Sequence, residues 1–405
     1  MTTDPASPRI IGQRLAEARK ARSIKQEDAA EHIGVSRPTF IALEKGERAA
    51  KPGEIIKLAA LYGQPVNHLV RTMEPLTDFQ PHFRAAMEKV KPADAEQLKI
   101  AIGEFKEFVE NYLDLEQRMK APMRMNYPDP VVLNPRVNVT ELAEDVANRE
   151  RLRFGLGDQP ILNIRSLLES EVGVRIFYAR LPRMFAGMYI FVDGLGGCML
   201  INSVHPAEKQ RASISHEYAH LIVDRYTAGI DHLTIFGRKP ANERFAESFA
   251  MSFLMPASSV RYRFNEIVNS TGNFQVGDLV KLKHRYFVSM GAMALRLESL
   301  GLLKQGTWEL QKEKELPIRA AEKKLGLATE ANAEPAYPDR YKLLAVHAYE
   351  RGELSEKEVA NYLRCDIWEA RRIIQESRLS IEVDAEGRTH PMQADFEASL
   401  LADQS

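Results

Sequence analysis

The sequence predicts an α+β protein that is mostly helical, and three observations carry that class. Gln26 to Gly46 has the layout of a helix-turn-helix. Three short segments between Val174 and Asn202 are rich in β-branched and aromatic residues, enough for one small sheet. Shortly after them, His216-Glu217-Tyr218-Ala219-His220 lies inside a helical period. Four parts follow: an N-terminal helical domain over residues 1–72, a helical connector and linker over 73–128, a mixed domain over 129–308, and a helical module with a polar tail over 309–405.

In the first part, Ala30 is small where two helices cross, Gly34 permits a tight turn, and Ser36 can cap the next helix with Pro38 in its first turn. Phe40 and Leu43 then face a core. The stretch from Ile11 to Val70 resembles the Xre/Cro-like repressor domain, which implies five helices and a DNA-binding role. The resemblance pairs Arg19 with Glu44 as a brace for the recognition helix. It also places Gln26, Ser36, Arg37 and Thr39 on double-stranded DNA, with Gln26 and Ser36 at phosphates and Arg37 at a base edge. Pro38, Ile41 and Ala42 offer no hydrogen bonds, so direct readout rests on Arg37, with apolar contacts to thymine methyls. Residues 1–72 hold twelve Lys and Arg against eight Asp and Glu, a basic balance that suits phosphate contacts. A head kept only as a protein-binding module is the alternative.

The connector shows Leu98, Ile102, Phe105, Val109, Tyr112 and Leu115 at steps of three and four, a helix whose stripe could seam a homodimer. Pro122, Pro128, Pro130 and Pro135 mark a linker. Strands are expected at Val174–Tyr178, Ala186–Val192 and Cys198–Asn202, the last two joined by a glycine-rich turn. Met188–Val192 or Cys198–Asn202 could be an edge that receives an extended peptide.

Ala207 to Tyr226 reads as one helix, with Ile214, Tyr218, Leu221 and Ile222 on a stripe. Histidines four apart share a helix face, so both imidazoles can grip one Zn²⁺ while Glu217 acts as general base on a water. The plain alternative is an amphipathic helix with two solvated histidines. A third ligand is needed, and Glu243 and Glu247 project from one face of a helix whose Phe245, Phe249 and Phe253 make the other. One can bind the metal while the other orients a ligand histidine. Glu243 is the expected ligand and Glu247 the expected support.

His-Glu-x-x-His, then the Glu-x-x-Ala-x-x-Phe-Ala-x-x-x-Leu-Met-Pro run from Glu243, then Arg285–Ser289 and Arg296–Gly301, together resemble the ImmA/IrrE metallopeptidases over residues 130–305. That resemblance implies a zincin-like domain with one zinc per chain on His216, His220 and Glu243, and Glu217 as catalytic base. It also implies cleavage of a repressor protein that switches on mobile elements or stress regulons. Tyr226, His232, His284 and Tyr286 are candidates for an oxyanion stabiliser.

After Gly301 the character changes, and Lys312–Lys324 is highly charged. Arg340–Glu350, Ser355–Leu363 and Asp366–Glu376 read as three helices, Ser355 forming a capping box with Glu358. A plain bundle is the stronger reading; a second helix-turn-helix has Ala360 as its one landmark. From Glu382 the tail is acidic and polar, a composition typical of disorder.

Composition bounds the rest. At 405 residues there is room for two to four domains, and a net charge of −1 confines any DNA contact to local patches. No apolar run is long enough for a membrane and no signal peptide is visible, so a cytoplasmic protein is expected. Cys198 and Cys365 exclude a disulfide framework. The expected function is a transcriptional regulator with a zinc endopeptidase that cuts a partner, a repressor. The alternatives are a transcription factor whose zinc is a sensor or structural fastener, and an antitoxin-like protein. Glu217 separates them, because a structural site needs no base.

Overall fold

The computed structural model describes residues 7–71, 75–76, 79, 82–83, 87–88, 90–232, 239–312, 318–327, 335–378, 380–383 and 389–392. Its elements confirm a mostly helical α+β chain with one four-stranded sheet. The chain divides into two compact units, Met1–Asp78 with Glu110–Gln117, and Phe79–Val109 with Arg118–Ser405.

The first unit begins with α1 (Pro8–Ala21), α2 (Gln26–Ile33), α3 (Arg37–Glu44), α4 (Pro52–Tyr62) and α5 (Val66–Leu69). Leu15, Ala29, Ala30, Phe40, Leu43, Leu58 and Tyr62 form its core. Gly34 takes φ 75°, the left-handed conformation that ends α2 without a Cβ penalty. Ser36 Oγ then accepts from Thr39 N at 3.4 Å and starts α3. The long helix α6 (Pro92–Arg118) supplies Glu110–Gln117 to this unit. There Arg71 donates to Asn111 Oδ1 at 2.6 Å, His68 Nε2 meets the same oxygen at 2.9 Å, and Arg14 lies 3.6 Å from Glu110.

The connector stripe takes a different part from the one expected. Leu98, Ile102, Phe105, Val109, Tyr112 and Leu115 are all fully buried within the single chain. Hydrophobic residues at this spacing seek any apolar face, and an intramolecular one is reached without the entropy of association. These side chains are therefore not the exposed stripe that the spacing suggested.

The second unit continues with α7 (Val139–Arg153), α8 (Ile164–Glu171), β1 (Arg175–Ala179), β2 (Phe185–Val192), β3 (Gly196–Asn202), α9 (Ala207–Val223), β4 (Gly229–His232) and α10 (Ala241–Leu254). Then come α11 (Ala257–Thr271), α12 (Val276–Tyr286), α13 (Met290–Ser299), α14 (Thr307–Lys312) and α15 (Ile318–Lys324). The sheet order is β1-β3-β2-β4, with β1 parallel to β3 and the other neighbours antiparallel. Strands β2 and β3 join through a tight turn, with Val192 opposite Gly196 and Gly194 at φ 79°. One core runs from α7 through the sheet, α9 and α10 to α13, built on residues such as Val146, Leu168, Tyr189, Ile201, Leu221, Phe249 and Leu297.

This order corrects the expected edge in part. Cys198–Asn202 lies between β1 and β2, and in Met188–Val192 only Met188 and Tyr189 pair with β4, so Ile190–Val192 pair with β3 alone. Strand β4 has four residues and no alternation long enough to announce it. It is one edge of the sheet. On the other edge, β1, Tyr178 N donates to Ala336 O at 2.8 Å.

The last described elements are α16 (Asp339–Glu350), α17 (Glu356–Leu363), α18 (Ile367–Arg378), β5 (Ser380–Val383) and β6 (Thr389–Met392). The Ser355–Glu358 capping box is present. The expected tail is corrected in part: Glu382 pairs with His390 in an antiparallel hairpin.

Candidate metal centre

Helix α9 is held from behind before it can hold anything in front. The Tyr218 hydroxyl donates to Glu150 Oε2 on α7, and Arg153 Nη2 donates to that same hydroxyl at 2.8 Å. The Tyr218 ring packs on Phe249 and Phe253, whose rings stack along α10 with centroids 5.3 Å apart. Glu243, in the first turn of α10, reaches the two histidines of α9.

His216 Nε2 and His220 Nε2 lie 3.1 Å apart. Glu243 Oε2 is 3.4 Å from His216 Nε2, and Glu243 Oε1 is 3.5 Å from His220 Nε2. Three donors at about 2.0–2.2 Å around a tetrahedral ion stand roughly 3.3–3.5 Å from one another. The two nitrogens and the carboxylate thus fit Zn²⁺ in number, chemistry and spacing, and among the described residues this is the one group of its kind. Burial pushes Glu243 upward, but its contacts with His216 and His220 prevail and its carboxyl sits below the ordinary range.

The fourth group is Asp224, which sequence reasoning missed. Its Oδ1 lies 2.9 Å from His220 Nδ1, and its Oδ2 accepts from Asn242 Nδ2 at 2.8 Å. A proton on Nδ1 leaves the Nε2 lone pair for the metal side. Glu247, expected in this part, is instead paired with Lys239 at the surface. One turn further along α10 it has passed the histidines, whereas Asp224 follows His220 by four residues at the end of α9. That spacing is the same one that singled out the two histidines, and it was the available signal.

Glu217 is 1% exposed. Gly187 of β2 faces it so closely that a Cβ there would stand 3.3 Å from Glu217 Oε1 and 3.1 Å from Leu200 O. Ala186, beside it, falls at an irregularity in the β2–β4 pairing, a feature that often re-aims strands near sites. The oxyanion candidates fare unevenly. Tyr286 is buried against Ser259 Oγ at 2.7 Å, His284 lies against Phe287, and Tyr226 is exposed beside Phe191. The His232 side chain lies outside the described residues.

In the head, Arg19 Nε and Nη2 donate to the two oxygens of Glu44 at 2.7 and 3.1 Å, both residues buried. Gln26 Nε2 donates to Glu44 Oε2 at 2.7 Å. Its amide nitrogen is therefore tied to the brace. Arg37 is exposed, and Ser36 Oγ lies 2.8 Å from Thr39 Oγ1. Arg19, Lys25, Gln26, Glu27 and Arg37 line an open depression of about 490 Å³.

Comparison with known proteins finds matches over both regions. Residues 169–298 match the IrrE N-terminal-like domain, and residues 10–71 match a helix-turn-helix domain. The cryptic phage CTXphi transcriptional repressor RstR of Vibrio cholerae is 35% identical over 85 residues, covering 21% of this chain and 75% of that protein. The uncharacterized HTH-type transcriptional regulator RghRB of Bacillus subtilis (strain 168) is 35% identical over 79 residues, 19% of this chain and 57% of the relative. Apo ComR from S. thermophilus is 12% identical over 78% of this chain and 95% of its own, at a TM-score of 0.15 that carries no argument. The class defined is a DNA-binding regulator with a metallopeptidase-like domain. The chain belongs to the helix-turn-helix transcriptional regulators and carries an IrrE-like domain fused to that head. Among the described residues, no helix is long and apolar enough to cross a membrane.

Proposed function

We propose that this regulator controls transcription through a zinc-dependent endopeptidase that cuts a partner protein, a repressor. The carrying observation is Glu217, a buried carboxylate on the helix turn between two histidines that meet Glu243. A site that only stored or sensed metal would gain nothing from a base at that point.

His216, His220 and Glu243 would hold the ion, with Asp224 orienting His220. Zinc bound there supplies Lewis acidity, polarising a carbonyl and acidifying a water. Glu217 takes the proton from the water as it attacks the scissile carbonyl, then passes it to the leaving amine. Its burial keeps bulk water from competing for that proton. An extended substrate segment would lie along β4, the sheet edge nearest α9 in sequence, adding main-chain hydrogen bonds. The head recruits the chain to DNA, Arg37 reading a base edge while Ser36, Thr39 and Gln26 contact phosphates.

Glu217→Gln tests the reading, since an amide cannot accept the proton. The variant should keep one zinc per chain and trap its partner uncut, with cleavage down by a factor on the order of 10² or more. Unchanged cleavage or induction would sink the peptidase reading and leave a metal sensor.

A further inference from the structure

The C-terminal elements α16, α17, α18 and the β5–β6 hairpin follow the order of a winged helix-turn-helix, which the bundle expectation did not include. Helices α17 and α18 are joined by three residues, with Arg364 at φ 50° making the turn. Asp366 Oδ1 accepts from Glu369 N at 2.9 Å and caps α18. Tyr341, Ala345, Val359, Leu363 and Ile374 close a core between the three helices, and Tyr341 Oη donates to Tyr362 O at 2.9 Å. The hairpin follows α18 directly, in the register Ser380↔Met392 to Val383↔Thr389. A bundle helix has no need of such a wing.

The outward face of α18 is unlike an ordinary solvated surface. Trp368 is 73% exposed, the Arg372 side chain is 62% exposed, and Gln375 stands one turn beyond. Arg371 lies over the Trp368 ring at 5.3 Å. Glu369 and Glu376 hold Arg372 from both sides at 2.6 and 3.1 Å, so its guanidinium is pre-set along the helix. Arginine and glutamine are the side chains that read guanine and adenine by paired hydrogen bonds in the major groove. Helix α3 offers one such fork, Arg37; α18 offers Gln375 and, on exchanging its Glu369 and Glu376 pairs for a base, Arg372, while Arg371 Nε is held by Glu356 Oε2 at 2.8 Å.

We propose that α18 is a second recognition helix for double-stranded DNA, so that the chain carries a reader near each end. Residues 339–378 hold eight Lys and Arg against eight Asp and Glu, so phosphate attraction is weak here. This contact adds sequence discrimination more than affinity. It stands independently of the peptidase reading.

The test uses the whole chain and a randomised 40-base-pair duplex library, with repeated selection of bound duplexes and sequencing. Wild type should enrich two blocks of conserved bases. Arg372→Ala with Gln375→Ala should lose one block and Arg37→Ala the other, each with about a tenfold or greater loss of affinity for the wild-type duplex. Zinc content and circular dichroism, unchanged in these surface variants, exclude misfolding. Arg372→Lys should keep binding but relax the base preference, because a lysine lacks the fork. A single block that survives the double substitution overturns the proposal and leaves the Trp368 face to a protein partner.

Discussion

At His220, the ligand is aimed by an atom on its far side. Asp224 Oδ1 sits 2.9 Å from Nδ1 and is itself fixed by Asn242, so the ring cannot rotate its Nε2 away from Glu243. Removing such a partner usually weakens metal binding by about 10–100-fold. Zinc titration of Asp224→Ala should show a loss in that range, while Glu247→Ala, which only frees Lys239, should bind as wild type. Equal affinity in both variants would return the orienting role to the ligands alone. The histidines, Glu217 and Glu243 were legible because helical spacing turns sequence distance into a shared face. Asp224 obeyed the same rule but lay where the helix ends, past the motif that drew attention. Gly187 was illegible: its closeness to Glu217 arises from strand-to-helix packing that no local pattern encodes.

At the scale of elements, the head was the clearest part of the sequence, since Gly34, Ser36 and the Phe40–Leu43 pair each act within a turn or two. The brace of Arg19, Glu44 and Gln26 ties α1, the start of α2 and the end of α3 together. Arg37 makes none of these contacts and faces outward. Arg37→Ala should therefore relax sequence preference with the fold intact, and Gln26→Ala should weaken binding to all duplexes alike. Gel shifts against the chain's own promoter region and a scrambled duplex, at two salt concentrations, separate the two effects. If neither duplex shifts, the head is a protein-binding module. Glu44→Ala should do something else again: it strands the buried Arg19 charge, at a cost of about 3–5 kcal/mol, and should melt the head. The sheet was half legible for a related reason. Its three longer strands carry their own β-rich signal, but the order β1-β3-β2-β4 depends on where the four residues of β4 settle.

At the scale of the second unit, the C-terminal helices are joined to the sheet beside a buried carboxyl. Arg165 donates to Ile176 O at 2.7 Å and to Pro335 O at 2.8 Å, and Phe177 meets Tyr341 edge-on at 6.4 Å. Pro335 and Tyr341 lie well over a hundred residues from Arg165 and Phe177, which is why no reading of periodicity could foresee the join. Glu169 lies inside it, accepting from Ile176 N at 3.3 Å. Burial pushes its carboxyl up to about 8, against the pull of Arg165 and the Ile176 amide. The folded chain thus keeps a proton that the unfolded chain releases near its ordinary value of 4.5. Stability from this group is fully present below that value and erodes as pH rises toward 8, by a few kcal/mol and at most about 5. Glu169→Gln keeps the shape and removes the ionisation. Thermal unfolding should show the variant level with wild type at pH 4.5 and several degrees more stable at pH 8. A difference that did not grow with pH would mean that Glu169 is ionised in the fold, paired with Arg165 as a buried salt bridge.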